Sequence, residues 1–148
     1  YIEGRELYVS VLGNEKPVAL PIVELDLSKL PEGTPRIAGS EVKWEEETQA
    51  YKLTQPFFPE DLDAGLVARI QDVAVQAFQA LELHDYGRID FRLASDETLH
   101  VLEVNPNPYL LSSAEFAMAG KKSGRPYAAL IDEIADLAMA RYPNKGAT

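Results

Sequence analysis

Between Tyr86 and Asn105 the run YGRIDFRLASDETLHVLEVN alternates with a period of two on either side of a short polar break. Ile89, Phe91 and Leu93 alternate with Arg88, Asp90 and Arg92, and beyond the break Leu102 and Val104 alternate with Val101, Glu103 and Asn105. Successive side chains of a strand point to opposite faces, so the first segment packs one face on a core and keeps the other fully charged. Two strands, Tyr86 to Ala94 and Leu99 to Asn105, joined by a tight turn, predict an antiparallel hairpin. With Asp96-Glu97 as the two central loop residues, Ser95 faces Thr98. Counting back from there puts Asp90 opposite Glu103 and Arg88 opposite Asn105, all four on one face. The same alternation puts His100 on the apolar side, as a core or edge residue rather than a ligand.

The rest of the chain supplies a sheet and helices to cover this hairpin. Glu6 to Leu12 (ELYVSVL) reads as a strand that stops at the turn pair Gly13-Asn14. Pro17 to Leu27 reads as a second strand of the same hairpin, with Pro21 marking an edge or a bulge. Ser28 to Ser40 is a loop, Glu41 to Tyr51 is polar with Glu45, Glu46 and Glu47 as a solvated surface, and Gln55 to Pro59 is a stiff extended approach to a helix. That helix spans Leu62 to Leu83, on a stripe of Leu66, Ile70, Val73, Ala77 and Leu81 widened by Val67, Ala74 and Phe78. Glu60, Asp61 and Asp63 suit the positive end of its dipole, and His84 the negative end. A second helix runs from Pro126 to Tyr142, and a shorter one covers Ser112 to Lys121 with Ser112-Ser113 as its N-cap. Strands in hairpins with helices segregated to one side predict an α+β fold around an antiparallel β-sheet with flanking helices. Pro143 to Thr148 reads as a frayed tail.

Composition narrows the function. The 148 residues suit one domain, and 24 acidic against 14 basic residues leave a net charge of −10. That balance argues against a general nucleic-acid or anionic-membrane binder, both of which need a basic face, but permits a polyanion bound through a metal ion. The absence of cysteine excludes disulfides, a thiolate zinc site and a cysteine nucleophile. No apolar run approaches the roughly 18 residues of a membrane helix, and the N-terminus lacks the features of a signal peptide, so the cytoplasm is the expected location. The chain opens at Tyr1-Ile2-Glu3-Gly4-Arg5, without an initiator Met and directly into a strand, as expected of a fragment of a longer protein.

Two carboxylates facing each other on neighbouring strands repel unless a cation lies between them. Asp90, Glu103 and the Asn105 amide are hard oxygen donors of the kind Mg²⁺ or Mn²⁺ prefers, and so small a set leaves room for water and substrate phosphates. Arg88 and Arg92 on that face could then meet phosphate oxygens. Two other readings stay open at this point. The hairpin could be a surface element in which Arg88 and Arg92 neutralise Asp90 and Glu103, or the carboxylates could be a pair for retaining glycoside hydrolysis. Asn105-Pro106-Asn107-Pro108 makes a stiff exit from the strand. Lys43, before Trp44, reads on its own as a snorkelling surface lysine.

GRIDFRL, a short turn and then LEVNPNP resembles the metal-binding core of the ATP-grasp ligases, most closely the D-alanine–D-alanine ligase branch. The resemblance implies that Asp90, Glu103 and Asn105 hold Mg²⁺ ions against the phosphates of ATP, with Arg88 reaching those phosphates. GRELYVSVLG resembles the family's strand entering the nucleotide cleft, which implies that Glu6 binds the ribose while Tyr1 and Ile2 line the adenine pocket. EVKW resembles the segment whose lysine approaches the γ-phosphate, which gives Lys43 that role. These motifs run in order from residue 1 to about residue 135.

Two departures qualify the resemblance: the loop after Asn105, and the amino-terminal and central domains that would precede Tyr1. Tyr109 stands where the ligases usually carry a glycine whose N–H meets the reaction intermediate. Ala114-Glu115 stand where a Ser-Leu pair binds the substrate carboxylate, and an acidic Glu115 would repel such a carboxylate. The resemblance therefore implies residues 1–142 as the carboxy-terminal lobe of an ATP-dependent carboxylate–amine ligase that forms an amide through an acylphosphate. Its acceptor would be an amino acid, peptide or amine other than D-alanine. The amino-terminal and central domains would lie upstream, the fragment alone would bind ATP weakly without turnover, and a homodimer is compatible with the family. The alternative is a non-catalytic lobe serving as a nucleotide-binding or interaction module.

Overall fold

The computed structural model describes residues 1–31, 33, 35–38 and 54–142, so Lys43, the Glu45–Glu47 run and the tail lie outside the described residues. The elements follow as β1 (Arg5–Leu12), β2 (Val18–Ala19), β3 (Val23–Asp26), β4 (Gln55–Phe57), α1 (Ala64–Ala80), β5 (Tyr86–Leu93), β6 (Leu99–Asn105), α2 (Glu115–Lys122) and α3 (Tyr127–Ala140). The strands form one antiparallel sheet in the order β4-β3-β1-β5-β6, with β2 also paired to β1. This is the α+β architecture expected from the sequence.

β1 lies at the centre because both of its faces carry residues that must be covered. Leu7, Val9 and Val11 point to one side, where they meet Ile89, Phe91 and Leu93 of β5 and Leu66, Ile70, Ala74 and Phe78 of α1. Each large apolar side chain buried there contributes about 1.5–3 kcal/mol. Glu6, Tyr8, Ser10 and Leu12 point to the other side. There Phe116 of α2 and Leu130 of α3 pack on Leu12, and Ala119 joins Tyr8, Leu20, Val23 and Leu25. Phe116 also meets the Tyr86 ring edge-on at 5.7 Å. The helices thus cover both faces rather than one, because the second face has an apolar patch of its own.

Several local expectations change. The strand expected over Pro17–Leu27 divides: the Leu20 N–H donates to the Ser10 carbonyl at 2.8 Å, Pro21 has no donor to continue the ladder, and pairing resumes at Val23. The extended segment at Gln55 becomes edge strand β4, where Pro56 is tolerated. Of the acidic residues before α1, Asp63 is the N-cap and accepts from the N–H groups of Gly65 and Leu66 at 2.8 and 3.0 Å. Asp61 turns instead to Arg5 at 2.8 Å. The buried stripe of α1 is Leu66, Ile70, Ala74 and Phe78, and Leu81, at the C-cap, is 61% exposed. α2 starts at Glu115 behind an Ala114 cap without a side-chain bond, so Ser112 and Ser113 sit in the preceding turn and do not cap it.

The β5–β6 hairpin places Asp90 opposite Glu103 and Arg88 opposite Asn105, as expected, but by a different route. Ala94 and Thr98 bracket a three-residue loop with Glu97 at φ +62°, one residue longer than expected. A bulge beside Asp90 leaves Leu102 without a partner on β5 and restores the register. Between loop and bulge the faces are inverted. His100 pairs with Arg92 and shares the charged face, which corrects its expected place on the apolar side.

Candidate functional site

The charged face of β5 is buried, so it is not a solvated surface. Asp90 is 2% exposed, and Arg88 and Arg92 are also buried. A buried carboxylate or guanidinium is tolerated only when its hydrogen-bonding capacity is met. Arg88 bonds Asp90 with two parallel contacts, Nε to Oδ1 at 2.7 Å and Nη2 to Oδ2 at 2.9 Å. Its Nη1 lies 3.4 Å from an oxygen of Glu115, the first residue of α2, and its guanidinium stands 4.4 Å over the Tyr8 ring. Burial works to lower the Arg88 pKa, but the hydrogen bonds and charge of Asp90, with Tyr8 and Glu115, outweigh it and the net shift is upward. The Tyr8 phenol is pushed up by burial first and then by the charges of Glu6 and Asp90. It therefore stays a neutral donor, and it donates to Glu6 Oε1 at 2.9 Å.

β6 brings the remaining donors to this face. Glu103 stands opposite Asp90 and Asn105 opposite Arg88. Asn105 Oδ1 accepts from the Asn107 N–H at 2.9 Å, and the Tyr86 hydroxyl donates to Asn107 Oδ1 at 2.8 Å. These bonds, with Pro106 and Pro108, hold the exit loop against the end of β5. Among the described residues no three Asp, Glu, His or Cys side chains converge as a metal cluster. The candidate donor set is two carboxylates and an amide oxygen, which suits a hard divalent cation that keeps water and phosphate in its shell. Asp90 would meet such a cation while already gripped by Arg88.

At the other end of the same face Glu6 of β1 pairs across the sheet with Arg92 of β5. Arg92 Nη1 donates to Glu6 Oε2 at 3.1 Å, and the Ala38 N–H donates to the same oxygen at 3.0 Å. Arg92 is therefore turned toward Glu6, not toward Asp90, Glu103 or a phosphate as the alternation alone suggested. Ile2 lies beside it through its carbonyl, which accepts from Arg92 Nε at 2.8 Å, and the exposed Tyr1 ring centre is 5.8 Å from the guanidinium. The structure thus brings Arg88, Asp90, Glu103 and Asn105 together at one end of the face and Tyr1, Ile2 and Glu6 at the other. Lys43 lies outside the described residues.

Sequence reasoning missed Tyr8 and gave Arg92 the wrong partners, phosphate or Asp90 and Glu103 in place of Glu6. The available signal was the pairing of β1 with β5, which sets Glu6 against Arg92 and Tyr8 against Asp90, but that pairing joins segments about eighty residues apart.

Known proteins carry the same arrangement of elements. Residues 1–136 match the family model described as D-ala D-ala ligase C-terminus. The protein y4sG of Sinorhizobium fredii is 32% identical over 146 residues, which are 99% of this chain and 41% of that protein. The D-alanine–D-alanine ligase of Geobacillus kaustophilus is 31% identical over 144 residues, 97% of this chain and 36% of the ligase. The chain therefore spans about two-fifths of the length of these relatives. Among solved structures, the D-alanine–D-alanine ligase of Coxiella burnetii superposes with a TM-score of 0.74 at 24% identity, over 95% of this chain and 33% of that one. The Bacillus anthracis enzyme, solved as a complex with ATP, gives 0.71 at 21% identity, over 99% and 41%. With the family model matched over nearly its whole length and the fold in agreement, this chain belongs to the D-alanine–D-alanine ligase C-terminal family, the carboxy-terminal lobe of the ATP-grasp fold.

Proposed function

We propose that residues 1–142 form the ATP- and Mg²⁺-binding lobe of a carboxylate–amine ligase, completed by amino-terminal and central domains. The observation that carries this reading is the pairing of Asp90 with Glu103 and Arg88 with Asn105, which sets two buried β5 side chains against an exposed carboxylate and a half-buried amide on one face, within a chain of this family. ATP as cofactor is supported by the relative that binds it. Asp90, Glu103 and Asn105 would hold Mg²⁺, or Mn²⁺, which would supply positive charge to offset that of the phosphates. Arg88 and Lys43 stabilise the transferred phosphoryl group, Glu6 accepts from the ribose, and Tyr1 and Ile2 border the base.

In the reaction a substrate carboxylate oxygen takes the γ-phosphoryl group of ATP and ADP leaves. An amine nitrogen then attacks the carbonyl carbon of the acylphosphate, the carbon–oxygen bond to phosphate breaks, and the amine loses a proton to give the amide. The substrates are small amino-acid or peptide molecules, and the proposed location is the cytoplasm. A homodimer fits the family, and neither nucleic acid nor membrane is part of the scheme. Residues 1–148 alone hold half of the cleft, so they bind ATP weakly and do not turn over.

A second reading, a non-catalytic nucleotide-binding or interaction module, draws on Tyr109 and on Ala114-Glu115 at the start of α2. Calorimetry of the full-length protein with Mg-ATP, with and without Asp90→Asn, separates the two. Metal-dependent binding that Asp90→Asn abolishes supports the ligase reading, and the absence of such binding in the unaltered protein overturns it.

A further inference from the structure

Arg92 is the largest fully buried side chain among the described residues, at 1% exposure. Its guanidinium is satisfied by three separate stretches of chain: Glu6 on β1 through Nη1, the Ile2 carbonyl through Nε, and the Arg36 carbonyl through Nη2. The Tyr1 ring lies against it as well. One side chain thus meets all three residues assigned to the base and ribose, and among the described residues its hydrogen bonds go to none of those assigned to metal and phosphate. The Glu6 carboxylate is 4% exposed and is held between Arg92, the Ala38 N–H and the Tyr8 hydroxyl. A carboxylate offers about four acceptor sites, so three internal donors leave room for one external hydroxyl in a set direction.

We propose that Arg92 is a positioning residue for the nucleoside end of the site, aiming the Glu6 carboxylate while tying the backbone at Ile2 and Arg36 to the sheet. The inference rests on the nucleotide-binding reading given above. Arginine suits the task because its planar fork reaches two carbonyls and a carboxylate at once. Lysine would keep the charge but could not span all three. Removing the fork leaves Glu6 buried with less support and releases the Ile2 carbonyl, so the loss falls on adenosine recognition and spares the phosphate end.

The test compares two probes, Mg-ATP and Mg-tripolyphosphate, by calorimetry on the full-length protein with Arg92→Lys, Arg92→Met and Glu6→Gln. Arg92→Lys keeps the buried charge and so guards against a variant that fails to fold. The expected result is Mg-ATP binding weakened about tenfold or more in both Arg92 variants, with Mg-tripolyphosphate binding unchanged. Equal weakening of both probes would reveal general loosening of the fold and overturn the proposal, as would unchanged Mg-ATP binding in both Arg92 variants. Glu6→Gln separates the two layers. If it leaves the ratio of the two affinities unchanged, the ribose assignment itself fails; if it shifts the ratio while the Arg92 variants do not, only the role of Arg92 fails.

Discussion

Arg88 and Asp90, two residues apart on β5, bond through two parallel contacts of 2.7 and 2.9 Å inside the sheet's buried charged face. The guanidinium takes one acceptor position on each Asp90 oxygen, so in the proposed site a divalent cation would have to share this carboxylate with Arg88. Removing Arg88 leaves a buried carboxylate without its main internal counter-charge, which costs about 3–5 kcal/mol in such cases. The Arg88→Met protein is therefore expected to melt well below the unaltered one in metal-free buffer. Adding Mg²⁺ should raise its melting temperature by more than it raises that of the unaltered protein, because ligand binding to the folded state stabilises it by mass action. An equal response in both proteins would show that Arg88 and the metal do not compete for Asp90.

Asp85 joins α3 to the sheet and gives the fold a defined acid sensitivity. It sits at φ +65° between α1 and β5, and accepts from Arg141 Nε at 2.9 Å. Its N–H donates to Asn14 Oδ1 at 2.9 Å, and Asn14 in turn donates to the Leu137 carbonyl of α3 at 3.0 Å. The Arg141 hydrogen bond, ahead of the opposing effect of burial and with help from the charges of Arg141 and His84, holds the Asp85 pKa below its usual value. A carboxyl whose folded pKa is depressed contributes stability that is fully present above its unfolded pKa, near 3.9, and is lost as pH falls through the folded value. Asp85→Asn keeps a side chain that accepts positive φ and removes the charge. It should cost about 1–3 kcal/mol at neutral pH, and the gap to the unaltered protein should close below about pH 4. Urea melts across that range read it directly.

Gly4 marks where the N-terminal segment passes hard against β5. A Cβ at this position would lie 2.1 Å from the Leu93 carbonyl oxygen, a backbone atom that cannot move aside without breaking the β1–β5 pairing. Gly4→Ala is expected to destabilise the fold by about 3 kcal/mol or more, at the upper end for overpacking. Amide exchange should quicken at Ile2, Arg5 and Leu7 before it does in α1. Unchanged exchange at those amides would show that the close approach is not needed to seat the segment.

β5 of the hairpin that holds Asp90 and Glu103 is legible because Ile89, Phe91 and Leu93 recur every second position, whereas β6 keeps that period only on either side of Leu102. Its register was obtained through two offsets of one residue that cancel: the loop holds three residues instead of two, and Leu102 bulges. His100 lies between the offsets, so simple alternation puts it on the wrong face. The pairing of Glu6 with Arg92 was not legible, because local alternation tells which side of a strand is charged but not which distant strand lies beside it. The same limit hid the second helix layer. Phe116 and Leu130 show an amphipathic pattern, yet only the sheet order reveals that Leu12 and Tyr86 present the face they cover. For Lys43 the role rests on its motif alone, since the residue lies outside the described residues.

Glu115 sets a charge condition on the acceptor of the proposed ligase. It opens α2, its side chain is 23% exposed, and its carboxylate reaches Arg88 at 3.4 Å, a longer contact than either bond from Arg88 to Asp90. It therefore neutralises Arg88 only in part and leaves negative charge beside the proposed phosphate end. An acceptor with its own carboxylate near α2 would meet repulsion there, whereas an amide or a larger peptide would not. ADP release by the full-length enzyme, measured with amino acids and the matching amino-acid amides as acceptors, should favour the amides. Glu115→Gln removes the charge with little change of shape and should narrow that preference by about tenfold, as expected for the loss of a like-charge contact in a partly buried site. Because Asp90 still holds Arg88 in this variant, Mg-ATP binding should stay near that of the unaltered protein. A preference for amides that persists in Glu115→Gln would place acceptor selection elsewhere, with Tyr109 in the exit loop as the next residue to test.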